Sequence, residues 1–321
     1  MHIHDDSHEV RHISELDRRR FLKTTGVVTG LAFLSNLLET SQASSAATIS
    51  LPGFAAFSKS VKISKNSKYY LVESSGLPDH QMMVGIKSWQ QQVPTIQSYT
   101  GSNAWSIPIK PVISKSPVSA KTHFLRGAIA LAVNGVPIFN ALNNRGDDAL
   151  LAGELDDWGG HCGRADDYHY HIAPLHLQTI VGKKVPIAYA LDGYPIYGET
   201  EIDGKKVIGL DSFNGHFDSK KNYHYHGTKT YPYINGGFKG VVAEIDGQVE
   251  PQSATKAFRP AGAPLKGAVI TGLERTGDNS FDLAYSLNNS IYHVKYSASL
   301  TQVEMQFIDS AGSIRTESYR R

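Results

Sequence analysis

Apolar residues in this chain recur in short, period-two runs broken by turn-forming clusters. Between about residues 59 and 125, the stretches Val61–Ile63, Tyr69–Val72, Met82–Ile86 and Trp105–Ile109 read as strands. Clusters such as Ser74-Ser75-Gly76 and Gly101-Ser102-Asn103 separate them. Asn134-Gly135 and Asp192-Gly193 each sit between apolar strand formers, a strong hairpin pattern, and Asp203-Gly204 repeats it between more polar flanks. Residues 227–265 are rich in Gly, Pro and Tyr and predict an irregular wrapping segment. Strands return at Phe281–Leu287, Ile291–Tyr296 and Gln302–Ile308, with a turn at Ala311-Gly312. Helical periodicity is nearly absent, and Asp147–Leu155 is the one short helix expected. The predicted fold class is mainly β, an antiparallel sandwich or barrel with few short helices.

A second regularity lies over the first. Gly160-His161 is followed by Tyr168-His169-Tyr170-His171, and Gly215-His216 by Tyr223-His224-Tyr225-His226. In both, the first two histidines are eight apart and the last two are two apart. The hairpin regions upstream, around Asn134-Gly135-Val136-Pro137 and Asp192-Gly193-Tyr194-Pro195, also correspond. The offset is 58 residues at the hairpins and 55 at the histidines. Residues 125–171 and 186–226 therefore read as a tandem duplication, the expected basis of the architecture.

Composition changes the picture at the N-terminus. Arg18-Arg19-Arg20-Phe21-Leu22-Lys23 fits the twin-arginine export pattern, and a modest apolar stretch to Leu38 follows. That stretch is too short and too polar to span a bilayer, and Ser45-Ala46-Ala47 offers a small-residue cleavage site. Residues 1–47 are thus expected to be a leader, 48–58 a linker, 59–265 the main domain and 266–321 a C-terminal β segment. The product would be periplasmic or secreted, with no membrane association after cleavage. Of 14 histidines, His2, His4, His8 and His12 fall in the leader and six in the two motifs. A formal charge of +2 and the lack of a basic–aromatic stripe argue against nucleic acid. The single cysteine, Cys162, excludes an internal disulfide. It reads as a small buried residue, with a fourth metal ligand or a reactive thiol as the alternatives.

The histidines carry the chemistry. On a strand, His169 and His171 share a face with alpha carbons about 6.6 Å apart, and so do His224 and His226. Polar turn residues at 163–166 and 218–221 would let a hairpin return His161 and His216 to them. Three histidines with an open fourth position suit catalytic zinc, and the same nitrogen set suits copper. Asp166, Asp167 and Asn222 are candidate acceptors for imidazole N–H groups. The alternative is paired strands held by histidine–tyrosine hydrogen bonds. Asp192 is a candidate general base, though Asp-Gly and Asn-Gly serve equally as turns. One dinuclear site and two mononuclear sites remain equally open.

These stretches resemble the YHYH-domain family of exported bacterial proteins. The resemblance rests on Gly76-Leu77-Pro78-Asp79-His80, Asn134-Gly135-Val136-Pro137, Asp166–His171, Ala190–Gly198 and Gly215–His226, and spans about residues 70–265. It draws attention to Asp79 and His80 as site residues and implies little about activity. Members often carry cysteines before the Gly-His and after the second motif. Phe213 and Thr230–Tyr233 stand there in this chain. Three functions follow as expectations. One is an exported metal-dependent enzyme, a zinc-type hydrolase or a copper-type oxidase, acting on a small molecule. The second is a copper- or zinc-sequestering protein. The third is a recognition module with structural metal that presents Trp89, Trp105 or Trp158 to a glycan.

Overall fold

A computed structural model describes residues 51–321, Ser88 excepted; the expected leader lies outside the described residues. Strands β1 (Lys62–Lys65), β2 (Tyr69–Glu73) and β3 (Trp105–Pro108) form a three-stranded antiparallel sheet. β4 (Ile113–Ser119) follows. An eight-stranded sheet then takes in β5 (Ala128–Ala132), β6 (Pro137–Phe139), β7 (Gly160–Cys162), β8 (Tyr168–Tyr170), β9 (Ala188–Ala190), β10 (Pro195–Tyr197), β11 (Gly215–Phe217) and β12 (Tyr223–His226). β13 (Gly237–Gly240) pairs with β4, and β14 (Ala243–Ile245) pairs with β15 (Gln248–Glu250). β16 (Val269–Gly277), β17 (Ser280–Leu287), β18 (Ser290–Ala298), β19 (Gln302–Ile308) and β20 (Ile314–Arg320) form an antiparallel meander. The molecule is mainly β and sandwich-like, and no barrel closes among the described residues.

The large sheet runs β11-β12-β10-β9-β5-β6-β8-β7. Its order reads the same from either edge once each strand is matched to its counterpart 55 or 58 residues away. At the centre β5 pairs antiparallel with β9: Leu131 faces Tyr189, Ala130 faces Ala190 and Ala132 faces Ala188. Leu131 and Tyr189 are themselves counterparts, and the flanking alanines exchange partners. Such self-complementary pairing is what a local twofold axis produces. All of β5 and β9 is buried, which explains their continuous apolar runs. Farther out, β6 and β10 each run parallel to a histidine strand, pairing Ile138 with Tyr170 and Ile196 with Tyr225. These two parallel pairings depart from a wholly antiparallel expectation.

Both Asn134-Gly135 and Asp192-Gly193 form the expected hairpins, with Gly135 at φ 82° and Gly193 at φ 96°. Asp203-Gly204 also turns, but its flanks meet at a single bridge, Thr200 to Lys206. The expected helix over 147–155 is instead a series of turns. Asn143 Oδ1 accepts from the amides of Arg145 and Asp147, and Asp148 Oδ1 from those of Leu150 and Leu151. The Asp148 bonds cap a single helical turn, closed by Ala152 N–H to the Asp148 carbonyl, and Gly153 at φ 69° ends it. Leu150 and Leu151 are exposed, so no apolar face rewards a helix there. The short helix is elsewhere: α1 (Gln178–Val181) follows a 3-10 turn at Leu175–Leu177.

Met82, Met83 and Ile86 are buried but do not form a strand; Met83 takes φ 68° and its amide donates to Asp156. The segment after 227 contains β13, β14 and β15 and is less irregular than its composition implied. Leu51 and Phe54 are buried, with Phe54 stacked on Tyr189 at 5.8 Å. The C-terminal sheet joins the same apolar core through Leu283, Val294, Tyr296 and Met305, and the Tyr296 hydroxyl donates to the Pro94 carbonyl.

Tight strand approach at the motif start makes a direct test. A Cβ at Gly160 would lie 2.5 Å from the Tyr168 hydroxyl and 2.7 Å from the His169 carbonyl oxygen. Gly160→Ala is expected to lose about 1–3 kcal/mol of stability in urea denaturation. An unchanged midpoint would contradict the packing described here.

Candidate metal centres

Each histidine triad is built by one hairpin and one extension. β7 and β8 pair His161 directly with His169, and β11 and β12 pair His216 with His224. His171 and His226 lie two residues farther along, on the same face. The turns match in detail, since Asp166 (φ 56°) and Lys221 (φ 64°) take the left-handed conformation at corresponding positions. The six histidines therefore form two clusters on opposite flanks of the sheet. Five strand spacings separate β8 from β12, roughly 24 Å. One dinuclear site is ruled out by that separation.

The tautomers follow from the hydrogen bonds. His171 Nδ1 donates to the Asn140 carbonyl at 2.5 Å, and His226 Nδ1 to the Gly198 carbonyl at 2.7 Å. Asn140 and Gly198 are counterparts. His169 Nδ1 meets the Asp167 carbonyl at 3.0 Å, and His216 Nδ1 meets the Ile208 carbonyl at 3.1 Å. With the Nδ1 protons committed outward, Nε2 presents a lone pair inward. His161 and His171 bring their Nε2 atoms to 3.1 Å, and so do His216 and His224. The Nδ1 bonds of His171 and His216 leave their Nε2 atoms as lone-pair donors toward these neighbours. Tetrahedral coordination at 2.0–2.1 Å separates ligand nitrogens by about 3.3 Å, close to what is found. Converging lone pairs at that spacing fit a metal cation.

Charge supports the same fit. Burial, reinforced by the neighbouring imidazoles, holds His161 well below the ordinary histidine range. Burial lowers His171 to about 3 and His226 to about 4. All three are neutral near pH 7, the form that binds metal. His226 Nε2 is buried with no hydrogen-bond partner.

The clusters differ in their fourth member. Glu201, on the turn after β10, places carboxylate oxygens 3.1 Å from His216 Nε2, 3.5 Å from His224 Nε2 and 3.7 Å from His226 Nε2. His216, His224, His226 and Glu201 thus make a four-ligand set, and His161, His169 and His171 a three-ligand set. Glu201's counterpart is Asn143, whose side chain organises its own loop and faces Glu154. The three-histidine cluster opens on a cleft of about 550 Å³. Phe139 stacks on His169 at 3.8 Å and walls one side.

The motif tyrosines point to the opposite face, where their hydroxyls anchor the strands. Tyr168 donates to Asp156, and Tyr223 to Asp211. The same two carboxylates accept from the amides of Gly160 and Gly215, tying each tyrosine to the strand that carries the first histidine. Tyr225 donates to Asp192 at 2.5 Å, while Asn134, the counterpart of Asp192, donates to Tyr170 at 3.0 Å. Asp192 is fully buried, accepts the amides of Tyr194 and Gly240 as well, and is raised by burial to about 6. It stands on the tyrosine face, away from the histidine cluster. His80 lies there too: its Nδ1 donates to the Gln81 carbonyl, so its Nε2 accepts from Tyr170 at 2.6 Å. Asp79 is exposed beside it.

Among the candidate outer acceptors, Asp167 serves His169 chiefly through its carbonyl. Asp166 instead pairs with Arg259 at 2.9 Å, and the Asn222 side chain turns to Asp218. Cys162 is buried and free, its thiol pushed up by burial. Trp89 and Trp105 are core residues, whereas Trp158 is 36% exposed and stacks on His80.

Residues 104–206 match the family model described as YHYH protein. The chain carries a YHYH-family domain. That match takes in the first motif and the second hairpin and ends before His216, so the second triad rests on geometry and spacing alone. No curated protein matches the chain, and no solved structure does. No helix among the described residues is long and apolar enough to cross a membrane.

The lowered histidines predict a pH dependence for the metal-free protein. An unfolded histidine titrates near 6.5. Their stabilising contribution is therefore complete above that pH and is lost as the pH falls toward the folded values, about 3 for His171 and about 4 for His226. Asp192 acts in the opposite sense, because its raised value favours the folded state as the pH drops. His80, His161, His176 and His224 are also lowered, against Asp156 and Asp166 raised, so the histidines outnumber the carboxyls. The urea midpoint of chelated protein should fall between pH 7 and pH 5. A flat profile would contradict the lowering of these histidines.

Proposed function

We propose that this chain is a metalloprotein with two mononuclear centres of unlike character. The cluster of His161, His169 and His171 is the reactive one, and that of Glu201, His216, His224 and His226 is structural. The carrying observation is the difference in the fourth position: a carboxylate fills it in one cluster and an open cleft faces it in the other. Open three-histidine sets belong to catalytic metals and closed four-ligand sets to structural ones. Zinc and copper both suit these nitrogens.

A metal held there supplies Lewis acidity or, for copper, a redox couple. The chain's own residues supply orientation. Main-chain carbonyls fix His169 and His171, Phe139 shields His169, and Glu154 sits at the cleft wall beside Arg145. This reading favours a metal-dependent enzyme over a sequestering protein, since storage gives no reason for two centres to differ. It also holds that the twofold-related halves arose by duplication. The twin-arginine pattern at Arg18–Lys23 supports export, a route that passes proteins already folded around their metal.

Elemental analysis of the mature protein should find two equivalents of zinc or copper. His171→Ala should reduce this to one and abolish metal-dependent turnover in panels of hydrolytic and phenol-oxidation substrates. Glu201→Ala should weaken the other centre and lower Tm, because binding to the folded state alone stabilises it. Metal at background after reconstitution would sink the proposal.

A further inference from the structure

Three segments place arginines around the cleft of the three-histidine cluster: Arg126 before β5, Arg145 on the loop after β6, and Arg164 in the β7–β8 turn. Glu154 is the one carboxylate on the lining, and it is taken by Arg145, which also reaches Asp147. The other two guanidinium groups are not neutralised. Arg126 donates to the main-chain carbonyl of Asp246, and Arg164 has no ion pair among the described residues. Both are exposed. Arg259, nearby, is different: it is buried against Asp166 and contributes no free charge. Imidazoles bind metal in their neutral form, so the three ligands themselves offset none of a divalent ion's charge. At the other centre Glu201 offsets part of that charge.

We infer that this cleft receives a small anionic ligand, bearing a carboxylate or phosphate group, gripped by Arg126 and Arg164 over the histidine cluster. This rests on the reading of that cluster as a metal centre. Planar guanidinium forks pair with both kinds of oxyanion in bidentate fashion. A cleft of one charge sign also concentrates oppositely charged ligands and speeds their capture. Its volume, about 550 Å³, lies within the range of small-molecule sites. A cavity of similar size, about 510 Å³, lies beside Gln97, Lys256 and Arg321 but has no histidine or carboxylate on its lining.

Calorimetric titration of zinc-loaded protein with inorganic phosphate, and separately with succinate, tests the inference, with metal content measured on the same samples. The wild type should bind at least one of the two, more weakly as salt rises. The stronger of them identifies the phosphate or carboxylate class. The R126Q/R164Q double variant should retain its metal and Tm and bind about tenfold or more weakly. The single variants R126Q and R164Q, each expected to be intermediate, carry the comparison if the double variant is unstable. Metal-loaded wild type that takes up neither anion overturns the inference and leaves the metal reading standing. Equal affinity in wild type and variants overturns it too. Absence of metal from the cluster removes both.

Discussion

Imidazole nitrogens crowded together in each triad are the constraint on which this structure turns. In each triad two rings direct Nδ1 at main-chain carbonyls and so turn Nε2 toward the neighbouring imidazoles. Burial keeps His161, His171 and His226 neutral near pH 7, so protonation of these rings is a poor remedy. A cation is the chemically economical one. Much of the local architecture serves to hold the rings in this arrangement. Hairpin pairing sets His161 against His169, and the tyrosines between the histidines lock the strands from behind through Asp156, Asp211, Asn134 and Asp192.

The twofold relation explains why the arrangement occurs twice, and its imperfections explain why the two occurrences differ. Where one half has Asn134 the other has Asp192, and both hold the second motif tyrosine. Where one half has Asn143 the other has Glu201, and only Glu201 enters a cluster. One replacement conserves a role and the other changes it. A single carboxylate at position 201 is enough to close one site, while Asn143 leaves the other facing its cleft.

The triads were legible in the sequence because strand geometry turns H-x-H into two ligands on one face and a polar turn returns the third. The hairpins were legible for a similar local reason, since glycine at positive φ marks them. Glu201 was not legible: it lies in a polar turn and its counterpart is an asparagine, so the repeat hides it. Asp156 and Asp211 could have been found, since each precedes its Gly-His pair by four residues at the same 55-residue offset. Asp192 was open to two readings, and contacts rather than pattern place it behind Tyr225. The edge strand β20 escaped notice because its residues are mostly polar and exposed, and β16 because Gly272 and Gly277 break its run. The short helix expected at 147–155 stops after one capped turn because Gly153 takes φ 69° there.

Anomalous diffraction from crystals of the mature protein grown with zinc or copper tests the central claim most directly. The account predicts two peaks roughly 24 Å apart. One should lie among His161, His169 and His171, and the other among Glu201, His216, His224 and His226. A single peak shared by both triads, or none at either, would contradict it.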